Sequence, residues 1–196
     1  PLARTQFIDY FLHADGTLLQ EPPDQEELSS RYRYDPDDPV PTIGGNLSGL
    51  WEVVQLTPGE GMLGRSGESP PVTARRDPVP AGATHQATHP GGFGCKPPYG
   101  PLAARQDVLV FQTPPLAEDM EVTGPITTKL WVSSSAIDTD FTAKLLDIYP
   151  PSTDYPEGYH MNICEGIIRA RYRDYSGKAK LLEPGKVYEI NIILEP

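Results

Sequence analysis

An all-β fold, an antiparallel sandwich or jelly roll, is the class this sequence predicts, on three observations. Its second half holds several short stretches in which apolar and polar residues alternate with a period of two. These stretches are separated by clusters rich in Gly, Pro, Ser and Asp. Nowhere does the spacing support a long amphipathic helix. With 23 Pro and 18 Gly among 196 residues, turns and short strands are favoured over helices. The length suits one domain with attached arms.

Taken in order, residues 1–46 read as an N-terminal hairpin and arm. The apolar runs Phe7 to Leu12 and Thr17 to Leu19 flank Ala14-Asp15-Gly16, a strong hairpin signal. Asp35-Pro36, Asp38-Pro39 and Val40-Pro41 then force extended or turning backbone, and Gly44-Gly45 adds a tight turn. Residues 47–106 form an irregular Gly/Pro-rich insertion in which only Leu50 to Leu56 reads as a strand or short helix. A loop of this length is expected to be functional, mobile, or packed on a neighbour.

Residues 107–196 form the jelly-roll core. Asp107 to Thr113 is a short β-rich run. In 126–133, Ile126, Thr128, Leu130 and Val132 share one face, with Thr127, Lys129, Trp131 and Ser133 on the other. In 140–149, Phe141, Ala143 and Leu145 share a face, and Leu146 and Ile148 then fall on the opposite one. Either both faces are buried or a bulge intervenes. In 164–173, Cys164, Ile168, Ala170 and Tyr172 alternate with Ile167, Arg169, Arg171 and Arg173. In 188–194, Tyr188, Ile190, Ile192 and Leu194 point inward, between Glu189, Asn191 and Ile193. The separators are Thr123-Gly124-Pro125, Ser133 to Thr139, Pro150 to Gly158 and Glu183-Pro184-Gly185.

Sixteen basic and 27 acidic residues leave a net charge of -11, a surface that repels nucleic-acid phosphates. Cys95 and Cys164 are too few for a disulfide framework, and the simplest reading is two free thiols, with Cys164 buried in a strand. No apolar run is long enough to span a membrane. The N-terminus lacks a hydrophobic secretory core and does not begin with Met. A fragment of a longer, cytoplasmic protein is expected.

No complete catalytic set is visible, and no catalytic, cofactor or metal residue is assigned. A serine nucleophile sits on a Gly-x-Ser-x-Gly turn between a strand and a helix. Gly64-Arg65-Ser66-Gly67-Glu68 places its second Gly one position early and lacks flanking elements, so it reads as a flexible loop. His85 and His89 have the i, i+4 spacing that binds metal on a helix. Thr84, Thr88, Pro90 and Gly91-Gly92 instead predict a solvated loop. Asp138 and Asp140 could hold a cation or do acid–base work, but such a pair before a strand usually closes a turn. Arg169, Arg171 and Arg173 would form a row on one sheet face, with Glu189 as a partner on a neighbouring strand or an anion as ligand. Asn46-Leu47-Ser48 fits a glycosylation pattern.

Three long segments, 31–46 (RYRYDPDDPVPTIGGN), 107–150 (DVLVFQTPPLAEDMEVTGPITTKLWVSSSAIDTDFTAKLLDIYP) and most of 162–196, resemble the C-terminal region of the cocaine esterase/NonD hydrolases. This bacterial group is related to X-Pro dipeptidyl-peptidases, α-amino acid ester hydrolases and glutaryl acylases. The resemblance implies a galactose-binding-like jelly roll that follows an α/β-hydrolase domain and a helical cap. It implies a parent serine hydrolase that cleaves esters or amides through an acyl-enzyme, without metal or organic cofactor. The triad lies upstream, and none of it maps here, so the chain alone is expected to be inactive. The implied partners are the catalytic domain, whose cleft the jelly roll helps to wall, and further copies of the protein in a homo-oligomer. Family members continue past the strand matching 187–196, so additional strands are expected elsewhere. A different class of function is a carbohydrate-binding module using Trp51, Trp131 and Tyr155. A third is an autonomous enzyme using Ser66, His85 or His89.

Overall fold

The computed structural model describes residues 5–23, 29–45 and 81–195. The described residues are nearly all β, in six antiparallel strands paired as three two-stranded ribbons. The first ribbon is the predicted hairpin, β1 (Phe11–Leu12) against β2 (Leu18–Leu19). Gly16 turns it with φ 87°, a conformation that favours Gly, and Asp15 Oδ1 accepts from the Thr17 amide and hydroxyl. Only two residues of the apolar run Phe7 to Leu12 pair; Phe7 and Ile8 are exposed.

β3 (Ile126–Val132) pairs with β6 (Tyr188–Leu194) in unbroken register, from Ile126 opposite Leu194 to Val132 opposite Tyr188. The alternation places the faces as predicted. Ile190 and Ile192 are fully buried, while Trp131 and Ile193 point outward. β4 (Asp140–Tyr149) pairs with β5 (Tyr159–Arg169). Leu145 faces Cys164 but Leu146 faces Asn162, so Ile163 is the extra residue of a bulge. The bulge lies on the partner strand, so β4 keeps its own alternation, and both of its faces are half-buried from Ala143 to Asp147. The two ribbons pack across a common core of Cys164, Ile168, Ala170, Leu182, Ile190, Ile192 and Leu194, with Ile126, Leu130, Phe141 and Leu145 against it. This is the two-layer solution for sheets with one apolar face each.

The second edge of β5 is also occupied. Asn162 N donates to Thr84 O and Gln86 N donates to His160 O. Further along, Glu165 and Glu195 exchange both backbone bonds. Residues 84–86 therefore act as a short strand although their composition reads as loop.

Two expected strands differ. Asp107 to Thr113 forms no strand, and among the described residues it meets another segment in one bridge, Gln112 with Thr17. Leu109 and Val110 are exposed, and Pro114-Pro115, which follows, supplies no amide donors to prolong a ladder. The strand at 164–173 stops at Arg169, and Ala170–Tyr172 forms a 3-10 turn. It breaks there because Ala170 N donates to Thr139 O and Arg171 N to Asp138 Oδ1, drawing the chain into the 133–139 loop. Among the described residues no helix is long and apolar enough to cross a membrane.

Candidate functional site

The polar groups of the described residues gather in four places. The most buried lies where the arm meets the β5 bulge. Lys144 projects from β4 and its Nζ donates to Gln86 Oε1 at 2.9 Å and to Glu165 Oε2 at 2.7 Å. Gln86, 2% exposed, also donates through Nε2 to Ile43 O at 2.6 Å and Thr84 O at 3.1 Å. Asn162 Nδ2 donates to Glu165 Oε2 at 3.4 Å. Gly45 lies so close above Glu165 that a Cβ there would come 1.8 Å from Oε1. One network thus ties the arm, residues 84–86 and both strands of the bulged ribbon together. Desolvated charges persist in such a setting only when paired and hydrogen-bonded.

A second cluster clamps the middle of the arm. The Arg105 guanidinium makes two bonds of 2.7 Å to the Asp107 carboxylate and donates to Asp38 O at 2.7 Å. Lys96 Nζ donates to Asp37 O and pairs with Asp38 at 3.3 Å. The two-pronged bond from Arg105 holds the Asp107 carboxyl below its ordinary range, against the opposing effect of burial. Tyr32 lies nearby, its phenol pushed up by burial and by the Asp107 charge. Because the folded-state pKa of Asp107 is depressed, its contribution to stability is complete above the usual carboxylate range, about pH 4, and is lost as pH falls through the folded value. Denaturant midpoints measured from pH 7 to pH 3 should fall on the acid side, and Asp107→Asn should be less stable at pH 7 with a shallower acid limb. An unchanged acid limb would remove Asp107 from this role.

The third cluster corrects the predicted arginine row. Arg169, the last residue of β5, pairs with Asp140 at 2.7 Å, and Arg171, beyond the 3-10 turn, pairs with Asp138 at 2.6 Å. Arg173 turns away and stacks its guanidinium 4.4 Å over the Tyr188 ring. Glu189 faces Lys129 at 3.7 Å rather than an arginine, because β6 pairs with β3 and not with β5. Asp138 and Asp140 thus close the β4 entry with arginines and the Arg171 amide. Their role is structural, but their partners lie 29 to 33 positions along the chain and are not the nearby amides expected of a turn.

The fourth cluster is aromatic. The His85 ring stacks on Tyr159 at 4.8 Å, and Tyr155 lies 4.6 Å from Tyr159. His85 Nδ1 accepts from the His160 amide, and burial, aided by the nearby His160, holds its pKa down. His89 sits in the following turn and its Nδ1 lies 3.2 Å from Pro90 O. The two histidines are not on a helix, and the described residues contain no group of three or more metal-binding side chains. Trp131 stands on the outer face of β3 with Lys129 5.9 Å from its ring, apart from Tyr155 in the β4–β5 turn. Cys95 and Cys164 are both free thiols, and Cys164 is buried in β5. Ser66, Asn46 and Trp51 lie outside the described residues.

Sequence reading missed Gln86, Asn162, Lys144, Glu165 and Arg105. Lys144 and Glu165 are an opposite-charge pair directly across the ribbon, but that register shows only with the observed end of β5 at Arg169.

The chain matches, over residues 1–196, the family described as the X-Pro dipeptidyl-peptidase C-terminal non-catalytic domain. It is 32% identical over 200 residues to the cocaine esterase of Rhodococcus sp. (strain MB1 Bresler), covering 98% of this chain and 27% of that protein. Among solved structures it resembles an aminopeptidase from a marine sediment archaeon, Thaumarchaeota archaeon. The TM-score is 0.64 and the identity 26%, over 96% of this chain and 26% of the other. The chain therefore spans about a quarter of the length of these relatives. With a family match along its whole length and a sandwich of the expected class, the chain belongs to the C-terminal non-catalytic domains of the cocaine esterase and X-Pro dipeptidyl-peptidase hydrolases.

Proposed function

We propose that this chain is the accessory β-sandwich of a serine hydrolase that cleaves ester, amide or X-Pro peptide bonds, and that it packs on the α/β-hydrolase domain to shape the active-site cleft. The observation that carries this reading is the match of the entire chain to a non-catalytic domain, together with relatives nearly four times its length. Physical support comes from the outer faces of both ribbons. Trp131 and Ile167 are each 67% exposed and Ile193 is 50% exposed, large apolar side chains that suit a covering partner. Within the domain, residues 107–196 supply the core, 1–46 the arm and 47–106 an insertion.

The test is covalent labelling of the whole protein with a fluorophosphonate, followed by mapping of the adduct. The expected adduct lies on a serine outside these 196 residues, and the isolated chain takes none and turns over no activated ester. An adduct at Ser66 would overturn the proposal. Ile167→Lys in the whole protein should leave the sandwich folded while lowering its unfolding temperature by a few degrees, since one lost contact of about 1 kcal/mol shifts a large domain by about 2–4 °C. No shift would exclude the outer face of β5 from the contact.

The Tyr155–Tyr159 pair favours one further reading, a stacking platform for sugars. Titration with neutral oligosaccharides would show chemical shift changes at these tyrosines if that reading holds.

A further inference from the structure

A small cavity lies between the Gly45–Gly82 backbone pair and the bulged end of β5. Its volume is about 40 Å³, and Ala83, Asn162, Ile163, Cys164, Glu165 and Glu195 complete its lining. We propose that it is a binding site for structural water, one molecule of which donates a hydrogen bond to Asn162 Oδ1.

Asn162 is 2% exposed, and its Oδ1, in a fully buried position, receives no hydrogen bond among the described residues. Buried polar atoms are nearly always satisfied by protein or by ordered water, so this acceptor calls for a donor. The orientation of the amide is decided by its neighbour. Nδ2 donates to Glu165 Oε2, and the reversed amide would set Oδ1 against that carboxylate.

The polar lining selects the ligand. A water occupies roughly 30 Å³ of liquid and needs a polar pocket with two or more partners. The space is large enough for water. Charge disfavours a bare cation, because the Lys144 ammonium already sits 2.7 Å from Glu165 Oε2 and would repel a second positive group. Apolar ligands are disfavoured by the two acceptors, Asn162 Oδ1 and the Glu165 carboxylate. A water can donate to both.

Such a water extends the network that starts at Ile43 O and runs through Gln86, Lys144 and Glu165 to Asn162. The Gly44–Gly45 turn and the β5 bulge are then joined by solvent as well as by side chains. Gly45 is required for this geometry, since its φ is 89° and any Cβ would strike Glu165.

The experiment is a crystal structure of the whole protein at a resolution that orders internal waters, with a second crystal soaked in rubidium chloride. The expected result is one peak within about 2.7–3.2 Å of Asn162 Oδ1, without anomalous signal. Three results would overturn the proposal: no peak, a rubidium signal at the site, or a side chain from elsewhere donating to Oδ1. The Asn162→Leu variant should lose the peak, and a water that persists there would show that Oδ1 does not hold it. If that variant does not fold, the density in the natural protein decides.

Discussion

Gly166→Ala should cost about 3 kcal/mol of folding stability, read as a fall in the urea midpoint with unchanged slope. Gly166 stands on β5 directly against the β6 backbone. A Cβ there would lie 2.2 Å from Ile193 O and 2.9 Å from Ile192 Cγ2. The obstacle is backbone on a strand whose register is set by seven consecutive pairs with β3, so it cannot yield locally. The two ribbons would have to move apart, loosening the contact of Ile190 and Ile192 with Cys164 and Ile168. Gly100→Ala is the control: its Cβ meets nothing within 4 Å and its φ is not in the left-handed region, so it should change stability by less than about 0.5 kcal/mol. If both substitutions behave alike, close packing of the ribbons at Gly166 is not what stabilises the sandwich.

Lys144→Met should cost about 2–3 kcal/mol, less than a fully buried ion pair because a quarter of the lysine side chain remains exposed. The substitution preserves the apolar stem and removes the charge. It leaves Glu165 with its longer bond from Asn162, and Gln86 Oε1 loses its donor. Adding Glu165→Gln should restore part of the loss, since a neutral amide suffers less from the missing ammonium. A double-mutant cycle should return a coupling of about 1–3 kcal/mol. A coupling near zero would mean that the pair is a bystander to the grip of Gln86 on Ile43 O. Lys144→Met should also increase proteolysis within the arm, because Gln86 is the group that grips Ile43 O.

β3 and β6 were legible because each buries one face along its whole length, so alternation and burial coincide. β4 was legible only to the point of an either–or. Its adjacent Leu145 and Leu146 suit burial of both faces or a bulge, and the extra residue, Ile163, lies on the partner strand, where a one-strand pattern cannot name it. The arginines at 169, 171 and 173 keep the strand period in sequence. The turn that breaks it is imposed by Thr139 and Asp138, about thirty residues away. Residues 84–86 carry no strand signal at all, since Thr-His-Gln joins β5 through backbone bonds that need no particular side chain. The same limit hides the candidate site: Gln86 and Asn162 matter through what surrounds them, and an isolated amide side chain advertises neither burial nor partner.

The pairing of β3 with β6 has a kinetic consequence. Val132 and Tyr188 face each other across 56 positions of chain, whereas Tyr149 and Tyr159 are separated by ten. Closing the longer loop from an unfolded coil costs more entropy, and that cost must be met before any non-local contact repays it. The β4–β5 hairpin lies wholly inside that loop, and once formed it brings the two halves of the chain together. The order of assembly follows: the hairpin nucleates, the β3–β6 ribbon zips over it, and residues 84–86 dock on the second edge of β5 last, with the arm held against them through Ile43 O.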